Sequence, residues 1–303
     1  MPTVWIPAAL TAGLFQAWRT AIQQRLRETL SVSGAGLVRY LYGAPVALLM
    51  AAAWFALRGE SVPALGWHFA LFAVVGGLAQ ILATNALIAA FGHRGFVVGT
   101  AFSKTEALQA ALFSTVLLGD HLPPVVWLGI AAGVSGVMVL GLLGRGEGVR
   151  GLFAHLSERG AQLGLLSGAL FALTAVLIRV ATQDVALSSP VSRALLTLVV
   201  VNFAQAVMHG GWLAVRAPQV LVAVMRSWRT AFQVGVLSAL GSACWFTGFA
   251  AAPVALVRVV GQVEVLFTLG FGHFYLREPL KRGEVLGLLL VSLGVVLALV
   301  GAL

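Results

Sequence analysis

Five polar side chains lie where the sequence offers them no water. Lys104, Glu106, Arg258, Gln262 and Glu264 fall inside long apolar runs, Glu106 and Glu264 near the middle of theirs. An ionisable group at the centre of a bilayer costs ~2.5–3.5 kcal/mol on insertion scales, so such residues face a cavity or a partner. Two chemistries fit. In one, the five line a central cavity: Lys104 or Arg258 meets an anionic substrate group, and a glutamate meets a cationic group or a proton. A carboxylate held in low dielectric is easier to protonate than in water, which suits Glu106 or Glu264 to proton exchange. In the other, buried salt bridges such as Lys104 to Glu264 and Arg258 to Glu106 only fix helix register. On a continuous helix Lys104 and Glu106 are about 200° apart, so their partners are expected on other helices.

The runs that must position these residues dominate the chain. Its 303 residues are 60% hydrophobic and 10% charged, with a mean hydropathy of +0.98, beyond what a water-soluble fold can cover. About 20 apolar residues cross the ~30 Å hydrocarbon core. Ten such runs are predicted: Val4 to Ile22, Gly34 to Leu57, Ala64 to Phe91, Gly95 to Leu118, Leu122 to Leu143, Ala161 to Val180, Ser189 to Val215, Thr230 to Ala250, Val254 to Leu276 and Arg282 to Leu303. None alternates as a membrane β-strand does, and a helix satisfies its own backbone in lipid, so the expected class is an all-α polytopic membrane protein. The opening run has no basic segment before it and reads as a permanent first helix. Many of the 35 glycines, such as Gly76-Gly77, Gly129, Gly133 and Gly136, read as close-packing positions between helices. The net charge of +9 gathers at helix ends, where topology and lipid headgroups explain it, so no nucleic acid is expected. Cys244 is the only cysteine, which leaves no intrachain disulfide.

The two halves superpose with one offset. Glu106 falls on Glu264, Asp120 on Glu278, Gly129 on Gly287 and Gly136 on Gly294, each pair 158 residues apart. With only ten acidic residues, two matched acidic pairs are not chance. Residues 1–143 thus form a first five-helix repeat, 144–160 a connector and 161–303 a second repeat. An odd number of spans per repeat makes the second one inverted. Loops after odd-numbered spans carry 13 Lys and Arg against 2 in the even ones, which places the odd loops in the cytoplasm and both termini outside. Inverted repeats with a site at mid-depth are the recurrent architecture of secondary transporters.

The sequence resembles the EamA-type members of the ten-helix drug/metabolite transporter superfamily. Leu276-Arg277-Glu278-Pro279-Leu280 leading into Gly287 and Gly294 is similar to the family's acidic turn and glycine-spaced last helix. Leu118-Gly119-Asp120-His121-Leu122 is its first-half counterpart, and Arg39 and Arg193 open the second helix of each half. Where many members carry a proline-containing apolar segment, this chain has Ser103-Lys104-Thr105-Glu106 and Gly261-Gln262-Val263-Glu264. The resemblance implies an exporter of a small metabolite or drug-like molecule in the bacterial cytoplasmic membrane. Its partners would be the substrate, membrane lipid and protons, and it would be a monomer or a homodimer. The family keeps its termini inside; the loop charges here argue the opposite.

Further residues take smaller parts. Gln16, Trp18, Gln80, Asn85 and Trp245, with Gln205, are candidates for cavity lining, although amides also join helices and tryptophans also mark interfaces. Arg39, Asp120, Arg193 and Glu278 are at helix ends and suit turns or gating pairs. His93, His121, His155 and His273 are too dispersed for a metal site, and neither metal nor cofactor is expected. Gly133-Val134-Ser135-Gly136 has the form of an intramembrane serine protease motif with His209 as a nominal base. Gly136 has its repeat mate in Gly294, however, while Ser135 falls on Leu293, so packing is the simpler account and no enzyme is expected. A noncatalytic membrane partner or receptor would not need matched mid-depth charges. No nucleotide-binding loop is present, so transport would run on gradients or exchange.

Overall fold

A computed structural model describes residues 3–26, 29–90, 102–143, 158–270 and 282–302. Among the described residues, each of the ten predicted runs contains helix. In chain order the helices are α1 (Trp5–Leu26), α2 (Val32–Leu41), α3 (Gly43–Arg58), α4 (Trp67–Ala90), α5 (Glu106–Leu118), α6 (Pro124–Leu143), α7 (Arg159–Gln183), α8 (Pro190–Arg216), α9 (Pro218–Arg226), α10 (Trp228–Ala251), α11 (Val254–Gly261), α12 (Glu264–Gly270) and α13 (Arg282–Ala302). Among the described residues, six helical stretches, one of them α2 and α3 taken together, are long and apolar enough to cross a membrane by length and composition.

Local chemistry sets the ends. The Ser31 hydroxyl accepts from the Gly34 N–H at 3.2 Å, and the Ser189 hydroxyl from Ser192 N–H at 3.4 Å, each meeting a donor left over in a first helical turn. Pro190 follows Ser189 at a position where no N–H is needed. Gly59 and Gly119 end α3 and α5 at φ of 62° and 69°, the left-handed conformation that a Cβ penalises. Nothing lies within 4 Å of the side chain that Gly119 lacks. Gly119→Ala is therefore expected to cost about 1 kcal/mol through its backbone alone, measurable as a lower unfolding midpoint.

Three features depart from ten plain rods. The second run is divided at Tyr42 into α2 and α3, and the ninth at Gln262–Val263 into α11 and α12. The nine-residue α9 fills a stretch expected to be loop; Val224 is buried while Val222 and Met225 are exposed. An amphipathic helix of about two and a half turns carries no spanning signal, which is why the hydropathy pattern passes over it.

The helices form two compact units that cut across the sequence halves. One takes residues 1–81 and 174–252, the other 82–173 and 253–303, so each draws on both halves. In the first unit α10 packs on α1, α3 and α8. Gly235 lets α10 come against Tyr42 and Gly43, where any side chain would overlap the Tyr42 backbone. The last carbonyls of α10, at the negative end of its dipole, are covered by donors. Arg193 gives Nη2 to Ala250 O at 3.0 Å, Gln183 reaches the same oxygen at 3.2 Å, and Arg179 bonds Ala252 O. Arg193 also donates to Gln183 Oε1 at 2.9 Å. At the same end of α8, Trp54 donates to Ser192 Oγ at 2.9 Å. Outside the spans, the Ser192 hydroxyl and then Arg58 hold the Glu60 carboxyl below the usual carboxylate range.

In the second unit α6 and α13 make the most extensive contact. A Cβ on Gly129 would stand 2.8 Å from Gly294 O, and one on Gly136 would stand 2.7 Å from Gly287 O. Backbone thus lies on backbone along this seam.

Candidate functional site

The charges singled out above meet inside the second unit, at two interruptions of helix. Residues 102–103 are helical, Lys104 and Thr105 form a turn, and α5 starts at Glu106. The turn tightens through i−3 bonds: the Thr105 N–H and hydroxyl both donate to Phe102 O, at 3.3 and 2.6 Å. α11 ends at Gly261, Gln262 and Val263 turn by the same pattern, bonding Val259 O and Val260 O at 3.1 and 3.2 Å, and α12 starts at Glu264. Each glutamate is the first helical residue after its turn. The two turns, Lys104–Thr105 and Gln262–Val263, are 158 residues apart.

Two ion pairs cross between these breaks. Lys104 Nζ bonds Glu264 Oε2, and Arg258 Nη2 meets Glu106 Oε1 at 2.8 Å. The side chains of the second pair are 10% and 11% exposed, so little water screens them. Glu106 is also within electrostatic range of Lys104 and Glu264, and Arg258 of Glu264, so the four act as one cluster. Two positive and two negative charges leave it neutral. This arrangement can open one pair to receive a charged group and return the freed partner to the other pair, within one low-dielectric site.

Glycines seat both breaks. A Cβ on Gly168 of α7 would lie 2.8 Å from Ser103 O and 3.3 Å from Glu106 N. A Cβ on Gly133 of α6 would overlap Gln262 Oε1, so the Gln262 amide occupies the notch of a missing side chain. Gln262 is 4% exposed, and neither its Oε1 nor its Nε2 has a hydrogen-bond partner among the described residues. By type and place Gly133 reads as a packing residue. Its service to Gln262 depends on how α6 approaches a break that no proline announces.

The other candidates lie elsewhere. Gln16, Trp245, Gln80 and Gln205 belong to the first unit. Gln16 Oε1 accepts from Trp245 Nε1 at 3.0 Å, and Trp245 stacks on Phe249 at 5.9 Å. Gln205 Nε2 donates to Gly77 O at 2.9 Å and to Gln80 Oε1 at 2.8 Å, so these amides join helices. Trp18 is 50% exposed on its unit. Asn85, in the second unit, is half-buried. Arg39 is buried against the Tyr40 ring, and Arg193 is engaged at the end of α10. Asp120 follows the left-handed Gly119; its N–H bonds Ser114 O at 3.2 Å. Glu278, His93, His155 and His273 lie outside the described residues. Ser135 is exposed on α6, and His209 is buried in the other unit. Among the described residues no three His, Cys, Asp or Glu side chains gather.

These features define a polytopic helical membrane protein whose interior holds a neutral cluster of paired charges at two helix breaks. Residues 158–300, 143 of the 303, match the EamA-like transporter family of the drug/metabolite transporter superfamily. A crystal structure with 18% sequence identity matches 98% of this chain and 96% of its own, with a TM-score of 0.70, so the fold extends over the whole length. No curated protein matches the chain.

Proposed function

We propose that the chain is a secondary active transporter that exports a small metabolite or drug-like molecule from the cytoplasm by alternating access. Transport is coupled to protons or runs by exchange, and the binding site is the cluster of Lys104, Glu106, Arg258 and Glu264 with Gln262. The observation that carries the proposal is the crossing of two buried ion pairs between two helix breaks 158 residues apart. A break frees backbone groups and lets a helix bend, and transporters place such breaks where substrate binds. Here each pair ties a residue at one break to a residue at or near the other, so opening a pair loosens both helices.

Reciprocal contacts favour an inverted repeat. Gly129 meets Gly294, the mate of Gly136, while Gly136 meets Gly287, the mate of Gly129. A two-fold relation between two equivalent pieces gives this exchange of partners. Loop charges favour termini on the outer side of a bacterial cytoplasmic membrane.

The test is release of intracellular metabolites by cells expressing the protein, followed by mass spectrometry of the medium. Glu106→Gln and Glu264→Gln should each insert normally and lower release of the exported compounds by about tenfold, equivalent to ~1.4 kcal/mol in the transport barrier. Wild-type release in both variants would sink the site.

A further inference from the structure

We infer that an anionic phospholipid binds in a groove between the end of α8 and α9, with its phosphate on Arg226, Arg216 and Arg229 close by, and an acyl chain against Ala214, Leu221, Val222 and Met225. The groove lies wholly in the first unit, which does not contain the charge cluster, so it stands whatever molecule is transported.

α9 is too short to cross a bilayer. Its nine residues rise ~13 Å, less than half of the hydrocarbon core. Only Ala217 separates it from α8 and only Ser227 from α10, and it packs on both, which keeps it at one end of these two spans. One stripe of α9, Val220 and Val224, faces Gly34 of α2, where a Cβ would stand 3.0 Å from Val220 Cγ1. The Tyr42 hydroxyl holds the helix further by donating to Val224 O at 3.4 Å. A second stripe, Leu221, Val222 and Met225, is left over, and with Ala214, Pro218 and Arg226 it lines a groove of about 500 Å³. A short helix fixed at the end of two spans with an apolar face uncovered has the geometry of an interfacial helix.

Arginine supplies the polar end of the groove. Arg216 closes α8, Arg226 closes α9 and Arg229 is in the first turn of α10, and all three are exposed. The sequence has no acidic residue between Asp184 and Glu264, so no acid of this stretch neutralises them. Trp212 and Trp228 are each 54% exposed; the first stands one turn before Arg216, and the Arg229 guanidinium lies 5.6 Å from the ring centre of the second. Tryptophan beside arginine marks headgroup depth. The loop charges favour the cytoplasmic leaflet for this end, where anionic lipid concentrates. A phosphodiester accepts two parallel N–H bonds from one guanidinium. Phosphatidylcholine carries a phosphate too, but its ammonium would come against three like charges, so the groove selects a lipid of net negative charge. A second copy of this chain, docked symmetrically, would bring its own three arginines against these.

The experiment uses the purified full-length chain, stripped of lipid in detergent, and follows binding by native mass spectrometry as dioleoyl phosphatidylglycerol or dioleoyl phosphatidylcholine is added. The first phosphatidylglycerol is expected to bind about tenfold more tightly than phosphatidylcholine. Arg226→Gln should remove most of that preference. Arg159→Gln, which takes one exposed arginine from the start of α7, should keep it. Ala214→Leu fills the groove with every arginine in place and should weaken phosphatidylglycerol about tenfold. All three positions are exposed, so the lipid-free unfolding midpoints should match the wild type. Glycerol phosphate, which has no acyl chain, should not displace the lipid at equal concentration. Equal affinity for the two lipids overturns the inference, as does unchanged binding in Ala214→Leu. A preference lowered as much by Arg159→Gln as by Arg226→Gln would be the pull of net charge alone and overturns it as well. Displacement by glycerol phosphate would leave a phosphate site without a lipid groove, and a lipid-free dimer that Ala214→Leu abolishes would give the groove to a second copy; either result also overturns it.

Discussion

Arg258→Met alone is expected to destabilise the folded chain by about 3–5 kcal/mol, whereas Arg258→Met combined with Glu106→Met should recover most of that loss. The single change strands the Glu106 carboxylate, which lies 2.8 Å from the guanidinium with its side chain 11% exposed. A carboxylate so placed keeps its desolvation cost and loses the charge that offset it. Replacing both partners by methionines of similar length removes cost and compensation together, and in other buried pairs such replacement is neutral or stabilising. Unfolding of the two single variants, the double variant and the wild type in mixed micelles gives the coupling energy directly. A single-variant loss below about 1 kcal/mol would place the pair at the scale of solvated ion pairs and contradict its burial. The same four proteins separate the two chemistries that the sequence allows. A stable double variant that no longer exports assigns the pair to the binding site; one that exports normally assigns it to helix register.

Much of this cluster is legible in the sequence for a simple reason. Among apolar runs the choice of partner for a buried charge is small, so pairs such as Lys104 with Glu264 and Arg258 with Glu106 can be named from charge and helical spacing. The path by which the pairs form is less legible. On a helix Lys104 and Glu106 point about 200° apart, yet both join one cluster, each through a partner on another helix. Neither Lys104 nor Thr105 is a helix breaker by type. The turn rests on Gly168 of α7, a contact between residues far apart in the chain. Gln262 is similar: its type marks a polar place in an apolar run, while its seat at Gly133 follows from the tertiary approach of α6. Arg193 illustrates the opposite error of emphasis. Its position at a helix start suits a gating pair, but the carbonyls of α10 that it covers appear only once the chain is folded. The compact units are likewise hidden, since hydropathy finds helices and not their neighbours. α4 and α7 each contribute to both units.

Gly294→Ala should cost at least about 3 kcal/mol, at or beyond the upper end for overpacking, although alanine is the best helix former and glycine one of the poorest. A methyl group on residue 294 would lie 2.6 Å from Gly129 O, 2.7 Å from Gly133 N and 2.8 Å from Gly133 Cα. All three are backbone atoms of α6, so no side chain can rotate aside, and α6 and α13 must move apart along their most extensive contact. Gly211→Ala is the control. Residue 211 lies within α8 before its last turn with nothing within 4 Å of the added methyl, so the same change there should be neutral or stabilising by about 0.5–1 kcal/mol. Opposite signs for one substitution in two membrane helices would isolate the cost of the seam from any intrinsic preference of the chain. The effect should reach the charge cluster too, because the backbone of Gly133, which Gly294 touches on one side, seats the Gln262 amide on the other. Gly294→Ala should therefore lose export by more than its residual folded fraction accounts for, read as transport per folded molecule in vesicles. Equal stability of Gly294→Ala and Gly211→Ala would mean that the two helices do not meet backbone to backbone, and would remove the frame that holds Gln262 in place.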